Sequence, residues 1–194
     1  AKLVVAGLLS TNLGAEDKVC VFSETRYEWM ITAIGCLRSG IPIVTLYANL
    51  GVDAIVHALN ETGCTHVITS HDLLPKFKEI LDATPRVVRL VYFEDALRKA
   101  DTTGFRAGVD ISSWSEVKEK GEAGKFDEYS APTKNDEAVI MYTSGTTANP
   151  KGVVIRHEAL IASIKSLHYA IDEKPKPDDV CVAYLPLAHI YELL

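Results

Sequence analysis

Along the chain, short unbroken apolar runs alternate with stretches whose apolar residues recur at helical spacing. VCVFS (19–23) reads as a strand buried on both faces. Residues 25–40, TRYEWMITAIGCLRSG, read as a helix with Met30, Ala33, Ile34 and Leu37 on one face and Gly40 as its stop. IPIVTLY (41–47) predicts the next strand. GVDAIVHALNETG (51–63) predicts a second helix, with Val52, Ile55, Val56 and Leu59 inward and Gly63 closing it. THVITS and RVVRLVYF then read as strands, with HDLLPKFKEILDA between them as a helix. Buried strands joined by amphipathic helices predict an α/β fold whose parallel-rich sheet is flanked by helices.

From about residue 94 to 136 the pattern loosens into charged and Gly-containing stretches such as EKGEAGKFDEYSAPTKND, which suit surface connections. Trp114 is expected to tuck one short helix back onto the core. Order returns with EAVIMYT (137–143) as a strand, the loop SGTTANPKG, a short strand VVIR and a helix over 157–170. DVCVAYLP (179–186) reads as a last strand, with Pro175 and Pro177 forcing the break before it. Two parts are expected: 1–135, a first α/β subdomain with a loose connection over 96–135, and 136–194, the start of a second α/β subdomain.

With 194 residues, 47% of them hydrophobic, the chain is long enough to bury a core. Its net charge of −6 is spread rather than blocked, which leaves no basic footprint for nucleic acid. A compact anion such as a nucleotide stays compatible, because one loop of backbone N–H groups holds it whatever the net charge. Cys20, Cys36, Cys64 and Cys181 lie far apart without a CxxC pair, as expected of a reduced, intracellular protein. His66 and His71 have no cysteine at ligand spacing, which disfavours zinc. The opening AKLVVAGLLS is too short to span a bilayer and lacks a basic leader region. Beginning without an initiator Met, the chain reads as an excerpt of something longer.

The stretch after residue 142 carries the candidate chemistry. Thr143, Ser144, Thr146 and Thr147 offer hydroxyls, Gly145 offers an accessible backbone, and Lys151 offers a charge on a long stem. The loop follows a strand end, where ligands bind in open α/β sheets. It is not a Walker A sequence, since Pro150 precedes Lys151 and Gly152 follows it. On composition alone a plain surface turn reads equally well, because Ser, Thr, Gly, Asn and Pro are turn formers.

YTSGTTANPKG (142–152) resembles the Tyr-Thr-Ser-Gly-Ser/Thr-Thr-Gly-x-Pro-Lys-Gly signature of the adenylate-forming enzymes, the superfamily of acyl-CoA synthetases, luciferases and peptide-synthetase adenylation domains. One position departs: Ala148 stands where that family usually has Gly. Where the family loop takes a positive φ there, Ala costs on the order of 1 kcal/mol or more. AYLPLAHIYELL (183–194) resembles the next family motif, whose histidine lies beside the acyl-adenylate and the fatty-acid tunnel, and LPLAHIYE is typical of long-chain acyl-CoA synthetases. Here that histidine is His189. An isolated His in an apolar run is better read as structural; its place after LPLA is what argues for the site. The run from Ser23 to Gly63 resembles the first subdomain of eukaryotic long-chain acyl-CoA synthetases, most like the type 3 and type 4 group. Resemblance covers nearly the whole chain and is weakest between residues 96 and 133. Trp29, Tyr47 and His57 read as core or helix-face residues without chemistry.

The resemblance implies a segment of the large N-terminal domain of an adenylate-forming enzyme, with the rest of that domain and the C-terminal lid outside this chain. It implies ATP-dependent activation of a long-chain fatty acid to acyl-CoA through an acyl-adenylate, with ATP, Mg²⁺ and coenzyme A as cofactors or co-substrates. Thr143, Ser144, Gly145, Thr146, Thr147 and Lys151 would bind the phosphates, with Thr143 meeting Mg²⁺. Lys151 and His189 would act in catalysis, Tyr191 would shape the pocket wall, and Glu192 reads as a solvated or capping residue. The whole protein would be intracellular, on the cytosolic face of endoplasmic reticulum, mitochondrial or lipid-droplet membranes. The segment alone is expected to be inactive. The alternatives are a non-catalytic nucleotide-binding or interaction module, or an adenylating enzyme for another carboxylic acid.

Overall fold

The computed structural model describes residues 1–11, 13–14, 16–124, 131–143, 150–171, 176, 178–180, 182 and 184–194. The chain runs through α1 (Lys2–Leu9), β1 (Val19–Phe22), α2 (Tyr27–Arg38), β2 (Ile43–Leu46), α3 (Val52–Thr62), β3 (His66–Ser70), α4 (Phe77–Ile80) and β4 (Arg89–Phe93). It continues through β5 (Asp110–Ser113), α5 (Trp114–Ala123), β6 (Glu137–Thr143), β7 (Lys151–Arg156), α6 (His157–Ala170) and α7 (Ile190–Leu193). Among the described residues the strands form one sheet in the order β5-β4-β3-β1-β2-β6-β7. Every neighbouring pair is parallel except β6 and β7, so the α/β class and the parallel-rich sheet are as the sequence predicts.

Strand residues alternate between two cores because successive side chains point to opposite faces. Val19, Val21, Ile43, Ile68, Val91, Val139 and Met141 pack with Val4 and Leu8 of α1, Trp29 of α2, and Trp114 and Val117 of α5. Cys20, Phe22, Val44, Leu46, Val67, Leu90, Ile140 and Tyr142 pack with Ile55 and Leu59 of α3 and Phe77 of α4. The chain moves outward from β1 to β2, then crosses back to β3 on the other side of β1. Right-handed crossovers in opposite directions place α2 and α3 on opposite faces. β6 continues the sheet beside β2, in the register Ile43↔Val139 and Thr45↔Met141.

Four sequence expectations are corrected. The buried face of α2 comprises Trp29, Thr32, Ala33 and Cys36, while Ile34 is exposed and Met30 and Leu37 are only partly buried. Small residues turn that face toward α1: a Cβ on Gly35 would lie 2.6 Å from Val5 Cγ2. Residues 71–83 do not form one helix; α4 is flanked by 3-10 turns at Leu74–Lys76 and Leu81–Ala83. Leu74, Phe77 and Ile80 recur every third residue, the 3-10 period, and Pro75 denies the stretch one backbone donor. The connection expected to be loose contains a strand that was not expected, β5, while the short helix expected at Trp114 is the ten-residue α5, with Trp114 buried in the core and a capping box joining Ser113 and Glu116. Residues 179–186 supply no strand among the described residues. Val180, Val182 and Tyr184 face open surface, with no ladder partner to make a strand of them.

The apolar opening is α1, clamped onto α5 by two glycines. A Cβ on Gly7 would lie 1.8 Å from the Val117 carbonyl oxygen, and one on Gly121 would lie 1.9 Å from that of Leu3. Cys20, Cys36 and Cys64 are free and buried, while Cys181 lies outside the described residues. Burial pushes the Cys36 thiol up to about 12 and that of Cys64 up to about 11, which keeps both protonated. Among the described residues no helix is long and apolar enough to cross a membrane.

Candidate functional site

The parallel strands end along one edge of the sheet, and β6 ends there at Thr143. β7 begins at Lys151, directly opposite Thr143 in the antiparallel pair, and both side chains are exposed. Tyr142 and Gly152, the first and last residues of the eleven-residue signature, are the next cross-strand partners. Ser144, Gly145, Thr146, Thr147 and Ala148 lie between them, outside the described residues. The pairing thus brings Thr143 and Lys151 together at the carboxyl edge as backbone partners.

What holds this pair lies beneath it. The Tyr142 ring is buried, and its hydroxyl donates to Glu61 Oε2 on α3. A Cβ on Gly152 would lie 3.1 Å from Tyr142 Cζ and 3.0 Å from Ile140 Cγ2, so a side chain there would require the phenol to shift by a few tenths of an ångström. His57 meets the ring edge-on at 6.5 Å and lies 3.8 Å from Glu61. Burial first, then the bond to Glu61, push the Tyr142 phenol upward, so it stays a neutral donor.

His189 is the N-cap of α7, and its Nδ1 accepts a hydrogen bond from the Tyr191 N–H at 3.3 Å. With Nδ1 accepting, the neutral ring carries its proton on Nε2 and presents a donor. The Tyr191 ring stacks on it with centroids 5.7 Å apart and planes 15° from parallel. Glu192 lies in the first turn of the same helix. The segment rests on the β1–α2 loop: Thr25 Oγ1 donates to the Leu185 carbonyl at 3.1 Å and accepts from the Leu187 N–H at 3.2 Å. β1 stands two strand positions from β6, about 10 Å at the usual spacing.

The loop beneath is tied by charge. Arg26 donates to both carboxylate oxygens of Glu28, at 2.9 and 2.6 Å, and its guanidinium lies over the Phe93 ring at 5.2 Å. Burial works to raise the Glu28 carboxyl, but the hydrogen bonds from Arg26 and from the backbone outweigh it and hold the group below its usual range. Sequence reading assigned no role to Thr25, Glu61 or Tyr142. Tyr142 opens the signature; no local pattern marks the other two, whose partners lie far away in sequence.

Among the described residues no three His, Cys, Asp or Glu side chains gather as a metal cluster. Thr143 offers one hard oxygen donor, which fits an ion that takes few protein ligands and completes its shell with phosphate oxygens and water.

Residues 1–194 match the family described as AMP-binding enzymes. Long chain acyl-CoA synthetase 8 of Arabidopsis thaliana is 38% identical over 190 residues, covering 97% of this chain and 26% of its own length. Long-chain-fatty-acid–CoA ligase 4 of Saccharomyces cerevisiae is 34% identical over 197 residues, covering 92% of this chain and 28% of its own. The chain spans about a quarter of the length of the curated relatives it matches. A solved red-emitting luciferase from Phrixothrix hirtus superposes with a TM-score of 0.77 at 22% identity, covering 99% of this chain and 36% of the luciferase, which establishes likeness of fold.

Proposed function

The chain belongs to the family of AMP-binding enzymes along its whole length, and from that membership we propose that it serves the ATP-dependent activation of long-chain fatty acids to acyl-CoA. The observation that carries this reading is the closure of the YTSGTTANPKG signature by the Tyr142–Gly152 pair at the carboxyl edge of the sheet, in a chain whose relatives include proteins named for long-chain acyl-CoA synthesis.

In this reading a fatty-acid carboxylate oxygen attacks the α-phosphorus of ATP and the bond to the β-phosphate breaks, giving acyl-adenylate and pyrophosphate. The thiol of coenzyme A then attacks the acyl carbonyl, and AMP leaves. Lys151 neutralises charge as pyrophosphate departs, and its long stem lets the ammonium follow the leaving group. Residues 144–147 supply hydroxyl and backbone donors to the phosphates. Bound Mg²⁺ would add charge neutralisation at the phosphate oxygens, with Thr143 the hydroxyl that would meet it. His189 donates from Nε2 to the carboxylate or the adenylate and so orients it. Tyr191 holds the imidazole flat and forms part of the wall.

Residues 136–194 begin a second α/β subdomain in this reading, one that grows from the same sheet, since β6 pairs with β2. Its support is α6, which buries Leu160 but leaves Ile161, Ile164 and Leu167 exposed. Membrane attachment on the cytosolic face is read from the family resemblance alone.

The test is ATP–pyrophosphate exchange by the full-length protein with palmitate, arachidonate, acetate and no acid. Exchange that requires a long-chain acid is the expected result. ATP binding without exchange for any acid would favour a non-catalytic module, and exchange with acetate alone would assign another acid.

A further inference from the structure

The loop between β1 and α2 is a braced platform. Arg26 is held by Glu28 and Phe93 and also donates to the Glu94 carbonyl at 3.3 Å, which ties the loop to the end of β4. Ser23 Oγ donates to the Glu24 carbonyl at 2.8 Å. Within this loop it is Thr25 that bonds to the C-terminal segment, 160 residues away in sequence, through the Leu185 carbonyl and 162 away through the Leu187 N–H.

That contact reads register. The Thr25 hydroxyl spends its one proton on Leu185 and a lone pair on Leu187, while Pro186 between them has no N–H to offer. A slip one way would put Pro186, which has no N–H, where the donor must be, and a slip the other way would put Ala188 there and draw the buried Leu187 from its place in the core. Upstream, Val180, Val182 and Tyr184 are exposed; downstream, Leu187 and Ala188 are buried. Thr25 therefore marks the point where the segment becomes fixed to the sheet. His189 follows at once, with its N–H on the Pro186 carbonyl at 2.8 Å and its carbonyl accepting from Glu192 at 3.1 Å.

We propose that Thr25 is a positioning residue for His189: its hydroxyl fixes the register of residues 185–187 and so sets where the imidazole Nε2 meets the carboxylate of the acyl substrate. The proposal rests on the reading of His189 given above. Thr25 touches no substrate in it, and its whole effect passes through the segment it holds.

The experiment uses the full-length protein, palmitate and MgATP, with Thr25→Val, Thr25→Ala, Thr25→Ser, His189→Ala and the Thr25→Val/His189→Ala double variant compared by pyrophosphate exchange and thermal unfolding. Thr25→Val and Thr25→Ala are expected to lower kcat/KM for palmitate about three- to tenfold, the worth of a lost hydrogen bond, and to leave the KM for MgATP and the melting temperature near those of the parent. Thr25→Ser restores the parent value, and Thr25→Val adds nothing once His189 is Ala. A fall in melting temperature without a selective change for palmitate would reduce Thr25 to a structural role and overturn the proposal. So would parent-like kinetics of Thr25→Val alongside an impaired His189→Ala, which leaves the function of His189 standing. An unimpaired His189→Ala would remove the reading on which the proposal rests.

Discussion

The hydroxyl of Tyr142 donates to Glu61 Oε2, tying the strand that ends at Thr143 to α3 on the second core face. The ring has two functions that come apart on substitution: its body fills the core and its hydroxyl makes the tie. Tyr142→Phe and Glu61→Ala are each expected to weaken the β6 end by about 0.5–1.5 kcal/mol, toward the low end because Glu61 is half exposed. The double variant should cost no more than either single one, since both remove the same bond. Hydrogen exchange of the peptide spanning 137–143 in the full-length protein reads the effect, and strict additivity would dissolve the tie.

The two glycines between α1 and α5 admit no side chain. Gly7→Ala aims its methyl at the Val117 carbonyl and Gly121→Ala at that of Leu3, both rigid helix backbone. Each is expected to cost about 1–3 kcal/mol as the helices separate, and to lower the melting temperature. Gly51→Ser is the contrast: nothing lies within 4 Å of its Cβ, it caps α3 at φ −74°, and stability should hold or rise by a few tenths of a kcal/mol. A Gly7→Ala protein as stable as its parent would contradict this packing.

His66 supplies a pH dependence. Its Nε2 lies 3.0 Å from Thr11 Oγ1 and its Nδ1 2.8 Å from Thr65 Oγ1, at the junction of α1 with the sheet. Burial first, then the charge of Arg89, hold the imidazole below its ordinary value, outweighing Thr11 and Asp17. The unfolded chain therefore binds the proton more readily, and the contribution is complete above about pH 6.5 and lost as pH falls below it. His157, also lowered by burial, adds to the same window. The melting temperature should fall between pH 7.5 and 5.5, and less steeply in His66→Gln. An unchanged slope in that variant would assign the effect elsewhere.

Which elements were legible follows from how each is stabilised. Strands buried on both faces announce themselves as apolar runs: β6 covers the residues of EAVIMYT, and β1 and β2 lie inside the predicted runs. An edge strand carries no such signal, and β5, DISS, has one large apolar residue. Its successor α5 is the short helix expected at Trp114, and the Ser113-x-x-Glu116 box at its head marks where it starts. DVCVAYLP fails in the opposite sense: its alternation fits a strand, but a strand also needs a neighbour, and Val180, Val182 and Tyr184 have none among the described residues. At the site, Thr143 and Lys151 were named by their motif and His189 by its own. Thr25 and Glu61 were not, because each acts on a residue more than 80 positions away, which local pattern does not record.

Ala148 offers a test at a position outside the described residues. It stands where the signature carries Gly, and if the loop needs a positive φ there, Ala148→Gly relieves strain on the order of 1 kcal/mol. Nucleotide affinity in that variant is expected to be unchanged or higher, measured by calorimetry with ATP. A clear loss would mean that the methyl group itself makes a useful contact.

Lys151 is exposed at the head of β7, so removing its side chain leaves both cores untouched. Its backbone pairing with Thr143 does not depend on the ammonium, and the strand should survive substitution. In the proposed mechanism Lys151 is a donor to the leaving phosphate, which acts mainly in the transition state, where such a group is worth roughly 2.7–4 kcal/mol. Lys151→Ala is therefore expected to lower fatty-acid adenylation by about 10²- to 10³-fold at an unchanged melting temperature, measured as single-turnover acyl-adenylate formation by the full-length protein. Lys151→Arg should recover only part of the rate, because the planar guanidinium is larger and cannot follow a moving phosphate as a compact ammonium does. An adenylation rate unaffected in Lys151→Ala would take this residue out of the mechanism and leave the 144–147 donors to carry the charge alone.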